Sequence, residues 1–293
     1  MTKNNLFTSS LLILISLIWA GSFVAVKLTV DEIPPLDLGF LRFLVATPFM
    51  IIILVLGKKD WHIPLKELPR LIILGLTGVT LLYIFQYFGV DYTTASTSAV
   101  LINTNVIFIV ILSLMFLKEK ISIVKGIGII CSFLGVICVV YAQMMNETIT
   151  FTTLFFFGCI FIILSAFCWA IYTITGKKLI EKYDEFTVTT YAFVLGTIFF
   201  APLALTHSIT IVQTMSINGW IAVFYLALLC SVFGYMGWYY ALKKTEASKV
   251  AVFLNFIPLF AILISFFFGE QPTIPFLFGA ILIIFGIYLA QRN

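Results

Sequence analysis

Apolar stretches separated by short polar breaks run the length of this 293-residue chain. A helix that crosses the ~30 Å hydrocarbon core of a bilayer needs roughly 20 apolar residues, and each stretch is about that long. The pattern therefore predicts an all-α integral membrane fold of ten transmembrane helices. We place them at residues 7–29, 36–56, 69–90, 97–117, 122–142, 153–176, 187–206, 217–241, 249–269 and 273–290.

Composition supports this fold class. Hydrophobic residues make up 62% of the chain, charged residues make up 10%, and the mean hydropathy is +1.14. These values exclude a water-soluble globule with a charged surface, so we expect the lipid bilayer to surround most of the chain. All five cysteines fall inside predicted helices without a CxxC pair, which is typical of reduced packing residues.

The basic residues indicate how the helices are oriented. Of the 17 lysines and arginines, fifteen fall in tails and loops on one side of the predicted bundle, and only Lys27 and Arg42 do not. The positive-inside rule places that side, with both chain termini, in the cytoplasm, and we expect the membrane to be the cell (plasma) membrane. The net charge of +4 is therefore a topology signal, and we expect no nucleic-acid partner.

An internal repeat appears when the sequence is shifted by about 150 residues. The segment TASTSAVLINTNVIFIVILSLMFLKE then lies over EASKVAVFLNFIPLFAILISFFFGE and pairs Asn103 with Asn255. We predict two five-helix halves, residues 1–146 and 147–293. Because five is an odd number, the second half enters the membrane from the opposite side, and inverted repeats suit alternating access. A gene duplication without that consequence is the alternative.

The residues of this repeat also carry a family resemblance. LIWAGSFVAVK in helix 1, FLRFLVATP in helix 2 and the two segments above resemble EamA-type transporters of the drug/metabolite transporter superfamily, from Leu11 to about Leu289. The resemblance implies ten helices and a central cavity lined mainly by helices 1, 3, 4, 6, 8 and 9. It also implies export of amino acids or other metabolites.

Aromatic and polar side chains recur at i, i+3 and i+4 on four predicted helices, and this spacing puts them on one face of each helix. We expect these faces to bind the substrate in two layers, each also serving as the gate on its own side. Core packing or an interfacial belt is the alternative for each single residue. The stripes are Trp19, Ser22 and Phe23; Tyr83, Gln86 and Tyr87; Trp169, Tyr172 and Thr173; and Tyr235, Trp238 and Tyr239.

Polar residues within the predicted spans are further candidates. Asn103 and Asn255 either bind a polar substrate or join two helices, and Pro258 is a candidate for bending helix 9. Glu119 and its repeat counterpart Glu270 stand at helix ends, where we favour a capping role.

Arg42 is the main charge inside a span. It either snorkels outward, pairs with Asp37, Asp91 or Glu270, or binds a substrate carboxylate. Lys27, near a helix end, either assists Arg42 or snorkels.

Motifs for catalysis are missing from the sequence. We find no HExxH, GxSxG, P-loop or metal-ligand spacing, and the two histidines fall in loops on opposite sides. We therefore predict a secondary transporter that exports a small-molecule substrate, such as an aromatic or aliphatic amino acid or a related amphiphile, with no cofactor or metal. A passive channel or a lipid or drug translocator is the alternative, and a membrane-embedded enzyme is a weaker one. Glycines in helices 5 and 10 favour joining the two halves of a monomer.

Overall fold

The computed structural model describes residues 3–119, 122–144, 152–267 and 274–291, and these ranges form helices without strands. Seven of these helices are long and apolar enough to cross a membrane, and three shorter apolar helices accompany them within the described ranges. In chain order they are α1 (Lys3–Thr29), α2 (Pro35–Leu56), α3 (Leu65–Tyr92), α4 (Ala95–Leu117), α5 (Ile123–Met144), α6 (Thr153–Ile180), α7 (Glu185–Thr214), α8 (Ile217–Lys244), α9 (247–267) and α10 (Ile274–Gln291).

Each predicted helix is present, and the differences lie at the ends. α7 continues to Thr214, past the predicted end at 206, because its last turns are polar but still hydrogen-bonded as a helix. Side chains satisfy the first backbone N–H groups of several helices. Thr94 caps α4, Thr152 caps α6, Asp184 caps α7 and Ser216 caps α8.

Four helices are irregular near the middle of the bundle. α3 contains a π-helical turn at Leu76–Thr80, and α8 contains one at Tyr225–Phe233. α4 is interrupted between Leu101 and Thr104, and α9 passes through a 3-10 turn at Val252–Asn255. Pro258, the predicted site of a bend, follows this turn by three residues. The missing N–H of Pro258 costs little because it falls in the first turn of the segment that follows.

The helices pack in pairs that mix the two ends of the chain. α2 packs on α7, α5 on α10, α1 on α8 and α9, and α6 on α3 and α4. The α5–α10 contact is close because a Cβ added at Gly135 would lie 2.7 Å from the carbonyl oxygen of Gly279. The predicted small-residue contact between these two helices is thus confirmed.

The two ends of the bundle differ in charge. At one end, called here the basic face, Lys59 pairs with Asp184 at 3.1 Å and Lys243 with Glu185 at 2.6 Å. At the other end, called the acidic face, Glu32 accepts a hydrogen bond from the Ser216 hydroxyl at 2.9 Å. α1 therefore runs from the basic to the acidic face.

The outer surface of the bundle is apolar. Phe157 on α6, Ile198 on α7, Ile221 on α8 and Phe278 on α10 are each about half exposed or more. Large contiguous apolar surfaces of this kind are unfavourable in water and fit a lipid environment. The polar and aromatic residues that the sequence singled out instead point inward, toward the site described next.

Candidate functional site

A cavity lies in the middle of the bundle among α1, α2, α3, α4, α6 and α9. Its residues on α1, α3 and α4 belong to the halves of those helices nearer the acidic face. The cavity has about 450 Å³ of empty space, part of it open to the surroundings, and about 50 Å³ admits the centre of a water molecule. That inner volume holds roughly three to five waters, so the cavity is narrow in this conformation.

Six residues of the predicted stripes line this cavity, and Arg42 lines it as well. The six are Trp19, Ser22, Phe23, Tyr83, Gln86 and Trp169. Six lining residues were not predicted: Leu82, Ile102, Asn105, Ser165, Leu254 and Ile257. Ser165 could have been found, because it stands four residues before Trp169 on the same helix face. On α4, the sequence analysis selected Asn103 as the polar candidate and not Asn105. The apolar lining residues could not be told from other apolar residues of the membrane helices by sequence alone.

Arg42 supplies the positive charge of the cavity and is 2% exposed. Its Nε donates a hydrogen bond to Ser231 Oγ at 2.6 Å, and its Nη1 donates one to the Tyr87 hydroxyl at 2.9 Å. The guanidinium carbon lies 4.1 Å from the centroid of the Tyr83 ring, which is a cation–π contact. Two neutral hydroxyls and a ring face thus hold this cation in place.

The expectation that Arg42 snorkels outward is wrong, because its side chain is buried, and Arg42 pairs with neither Asp37 nor Asp91. α2 turns Arg42 toward α3 and α8, away from lipid. Asp37 instead binds the imidazole of His207 at 2.7 Å. Asp91 forms no ion pair with Arg42, and Glu270 lies outside the described residues.

Lys27 does not reach this cavity. Its Nζ donates hydrogen bonds to the carbonyl oxygens of Val90 at 3.2 Å and Asp91 at 2.8 Å, at the C-terminus of α3. A cation at a helix C-terminus is stabilising because the last carbonyls carry partial negative charge. Lys27 is therefore a cap at the acidic face.

Three polar atoms of the lining lack hydrogen-bond partners among the described residues. They are Asn105 Oδ1, Ser165 Oγ and Trp169 Nε1, and all three residues are buried. A buried polar atom without a partner costs about 1–3 kcal/mol, so such atoms need a reason. A polar molecule in the cavity would satisfy them.

The interruptions of α4 and α9 lie beside the cavity. Ile102 and Leu254 from these irregular turns reach the lining, while Asn103 and Asn255 are 3% and 2% exposed and lie next to it. The two asparagines therefore stand at the irregular turns and not on the wall of the cavity.

An aromatic cluster closes the cavity toward the basic face. It consists of Trp19, Trp169, Tyr172, Tyr235, Trp238 and Tyr239, all buried. The Tyr172 and Tyr239 rings stack at 5.0 Å with 9° between their planes, and the Trp19 and Trp169 rings meet edge to face at 5.2 Å. Such contacts each contribute about 0.5–1.5 kcal/mol beyond burial. Thr173 accepts a hydrogen bond from Trp238 Nε1 at 3.3 Å within the same layer.

The π-helical turns connect to this cluster. A π-helical turn shifts backbone hydrogen bonds from i+4 to i+5, and its junctions leave carbonyl oxygens open to side-chain donors. The Tyr235 hydroxyl donates to the carbonyl of Gly78 in α3 at 2.6 Å, and Trp19 Nε1 donates to the carbonyl of Cys230 in α8 at 2.9 Å. Both π-helical turns are thus bound by aromatic side chains of the cluster.

A second cavity opens at the basic face. The C-terminal ends of α4, α6 and α8 surround it, with Glu119, Lys177 and Lys243 among the lining residues. It admits water centres over about 480 Å³, far more than the central cavity. Along α6, Trp169 faces the central cavity and Lys177 the basic-face cavity, with Tyr172 between them. The aromatic cluster therefore separates the two cavities.

The resemblance implied a cavity lined by helices 1, 3, 4, 6, 8 and 9. The structure agrees except at α8, whose place in the lining is taken by Arg42 of α2. The stripe of α8 lies instead in the aromatic cluster, on the basic-face side of the cavity, and consists of Tyr235, Trp238 and Tyr239. Within the described residues, no group of three or more His, Cys, Asp or Glu side chains could hold a metal ion.

Comparison with known proteins agrees with this architecture. The EamA-like transporter family matches the chain twice, over residues 6–141 and 156–291. Two proteins of Archaeoglobus fulgidus, each named an uncharacterized transporter, are 39% and 33% identical; the first match covers 98% of both chains, the second 94% of this chain and 95% of the other. The uncharacterized transporter YyaM of Bacillus subtilis is 29% identical and covers 94% of this chain and 90% of its own.

A solved crystal structure also shares the fold. It has a TM-score of 0.70 at 16% sequence identity and covers 97% of this chain and 95% of its own chain. With the family matching both halves and relatives aligned over nearly the full length, the chain belongs to the EamA-like transporter family of the drug/metabolite transporter superfamily and is a multi-pass membrane transporter.

Proposed function

We propose that this protein is a secondary transporter that exports small metabolites, such as aromatic or aliphatic amino acids, by alternating access. The observation that carries the proposal is the central cavity, which has polar groups in its lining and an aromatic cluster closing it toward the basic face. A molecule bound there would be separated from the basic-face cavity by one layer of side chains.

Two inverted five-helix repeats, residues 1–146 and 147–293, supply the symmetry that this mechanism needs. The family model matches each half. α1 packs on α8 and α9, and α6 packs on α3 and α4, which is the pairing that such a repeat requires. The irregular turns in α3 and α8, and those in α4 and α9, also fall at matching places.

Two lysines, one in each proposed repeat, support the inverted arrangement. Lys27 caps the end of α3 at the acidic face. Lys177, which follows it by 150 residues, donates to the carbonyls of Leu242 at 2.7 Å and Thr245 at 2.6 Å, at the end of α8 on the basic face. In an alternating cycle, the closed layer would move from the basic face to the acidic face as the halves exchange conformations.

The basic face would lie in the cytoplasm of a cell with the protein in its plasma membrane, by the positive-inside rule. Both chain ends would then be cytoplasmic. The close α5–α10 contact joins the two halves within one chain, which supports a functional monomer.

The test is counterflow in liposomes that contain the purified protein. The liposomes are loaded with an unlabelled amino acid, and uptake of the labelled one is followed over a panel of amino acids. Saturable uptake that other substrates inhibit is the expected result. Linear uptake without competition would instead identify a passive channel.

Two variants connect the transport to the cavity. Tyr83→Ala and Tyr235→Ala remove rings from the lining and from the cluster, and each should lower counterflow. Tyr141→Ala is the matched control because Tyr141 is 57% exposed on the outer surface of α5. Wild-type counterflow in both cavity variants, with normal amounts of folded protein, would refute the cavity assignment.

A further inference from the structure

Among the described residues, no carboxylate balances the charge of the central cavity. Arg42 carries five N–H groups, and in the described part of the chain only Ser231 and Tyr87 accept hydrogen bonds from it. Both partners are neutral hydroxyls. None of the described cavity-lining residues is a carboxylate.

Burying a cation without a counter-ion costs several kcal/mol, and neutral partners offset only part of that cost. The Tyr83 ring covers one face of the guanidinium and the two hydroxyls hold it from the sides. Its position is thus fixed before any ligand arrives. Three N–H groups remain, one on Nη1 and two on Nη2. A pair of N–H groups from these two nitrogens can bind a carboxylate through two parallel hydrogen bonds.

One carboxylate fits this site better than a phosphate ester. A phosphate monoester carries about −1.5 to −2 charges at neutral pH, and Arg42 is the single cation of the described lining. The other walls suit the rest of a small molecule. Trp19, Phe23 and Ile257 offer apolar surface, and the unpartnered Asn105 Oδ1 can accept an N–H.

We infer that Arg42 binds the carboxylate of the transported molecule, and that the cavity rejects the same molecule when this carboxylate is replaced by an amide. The inference rests on the proposed function, because it assigns the substrate's binding mode in the same cavity. It makes Arg42 a specificity-determining residue.

The wild-type protein provides the first test, without any substitution. Binding of a labelled amino acid that shows counterflow is competed with matched pairs, L-leucine against L-leucinamide and L-phenylalanine against L-phenylalaninamide. Loss of a charge-assisted hydrogen-bonded pair should weaken the amide by about 10- to 100-fold. Amides that compete within about twofold of the acids would overturn the inference while leaving the transport function intact.

Substitution provides the second test. Arg42→Gln should remove the preference for the acid, and Arg42→Lys, which keeps the charge but loses the fork, should reduce it. Arg70→Gln is the matched control, because Arg70 is exposed at the basic face and pairs with Glu67. It should retain the full preference.

The two proposals fail differently. Counterflow of no amino acid by the wild type would refute the proposed function and the inference with it. Saturable counterflow with an unchanged acid preference in folded Arg42→Gln protein would refute the inference alone. Should Arg42→Gln fail to fold, the comparison of acids and amides on the wild type still decides.

Discussion

The hydroxyl groups of Tyr83 on α3 and Tyr235 on α8 are hydrogen-bonded to each other at 3.1 Å. Tyr235 also donates to the carbonyl of Gly78 at 2.6 Å. The sequence predicted that these tyrosines belong to two separate layers, one per repeat. They meet instead, beside the π-helical turn of α3 that contains Gly78. The wall of the central cavity and the aromatic cluster therefore share one hydrogen-bonded unit.

Tyr235→Phe should destabilise the protein more than Tyr83→Phe. The first variant removes the donor to the buried Gly78 carbonyl, which should cost about 1–3 kcal/mol, whereas the second weakens only the contact between the two hydroxyls, at about 1 kcal/mol. Chemical unfolding in mixed micelles measures both. Equal losses in the two variants would show that the carbonyl contact contributes nothing.

Gly78 should not tolerate a side chain. A Cβ at this position would lie 2.1 Å from Cδ2 of Tyr172, whose ring is stacked on Tyr239 and has no room to retreat. Gly78→Ala should lower stability by about 1–3 kcal/mol and reduce counterflow.

Gly126→Ala is the control for this substitution. A Cβ on Gly126 of α5 meets no atom of the described residues within 4 Å. A Gly→Ala change inside a helix, where the new methyl group meets no clash, adds up to about 1 kcal/mol of stability. Thermal unfolding followed by intrinsic fluorescence compares the two, and a Gly78→Ala protein as stable as Gly126→Ala would contradict the packing.

Lys27→Met and Lys177→Met should loosen opposite faces of the molecule. Lys177 caps the end of α8 and Lys27 the end of α3, and removing a cap frays the last helical turn. Hydrogen exchange measured by mass spectrometry should accelerate near residues 90–94 in Lys27→Met and near residues 242–246 in Lys177→Met. Each variant is the control for the other, and acceleration at both ends in either variant would argue against separate caps.

Glu119→Ala should destabilise the start of α9. The carboxylate accepts hydrogen bonds from the backbone N–H groups of Ala247 at 2.8 Å and Ser248 at 3.3 Å. Losing this cap should cost about 0.5–2 kcal/mol, and Glu119→Gln, which retains an acceptor, should cost less. Thermal unfolding in detergent tests this order. The predicted capping role is confirmed, although the capped helix is α9 and not the next helix in the chain; Glu270, its predicted counterpart, lies outside the described residues.

Hydropathy was sufficient to predict the helices because each crossing needs an apolar segment of set length, whatever its neighbours. Helical spacing was sufficient to predict Trp19, Tyr83 and Trp169 in the cavity lining, because residues at i, i+3 and i+4 share one face of a helix whatever packs against it. The partners of Arg42 could not be found in this way. Ser231 is 189 positions away in sequence, and it reaches Arg42 only through the packing of α2 on α8.

The irregular turns were also missed, because they depend on tertiary contacts. Gly75 and Gly196 bring α3 and α7 so close that a Cβ at Gly75 would lie 2.9 Å from the Gly196 backbone nitrogen. Thr80 then donates to the Gly196 carbonyl at 3.0 Å. The sequence of Leu76–Thr80 alone does not predict the close contact between α3 and α7, since its glycine and threonine also occur in ordinary membrane helices.

The π-helical turn at Leu76–Thr80 has a consequence for insertions and deletions. Such a turn accommodates one residue more than an α-helix of the same length, so the helix on either side keeps its direction and its facing. One residue can therefore be deleted within this turn while Tyr83 continues to face Arg42. The same deletion between Leu81 and Tyr83 would rotate the end of α3 by about 100° against the rest of the bundle.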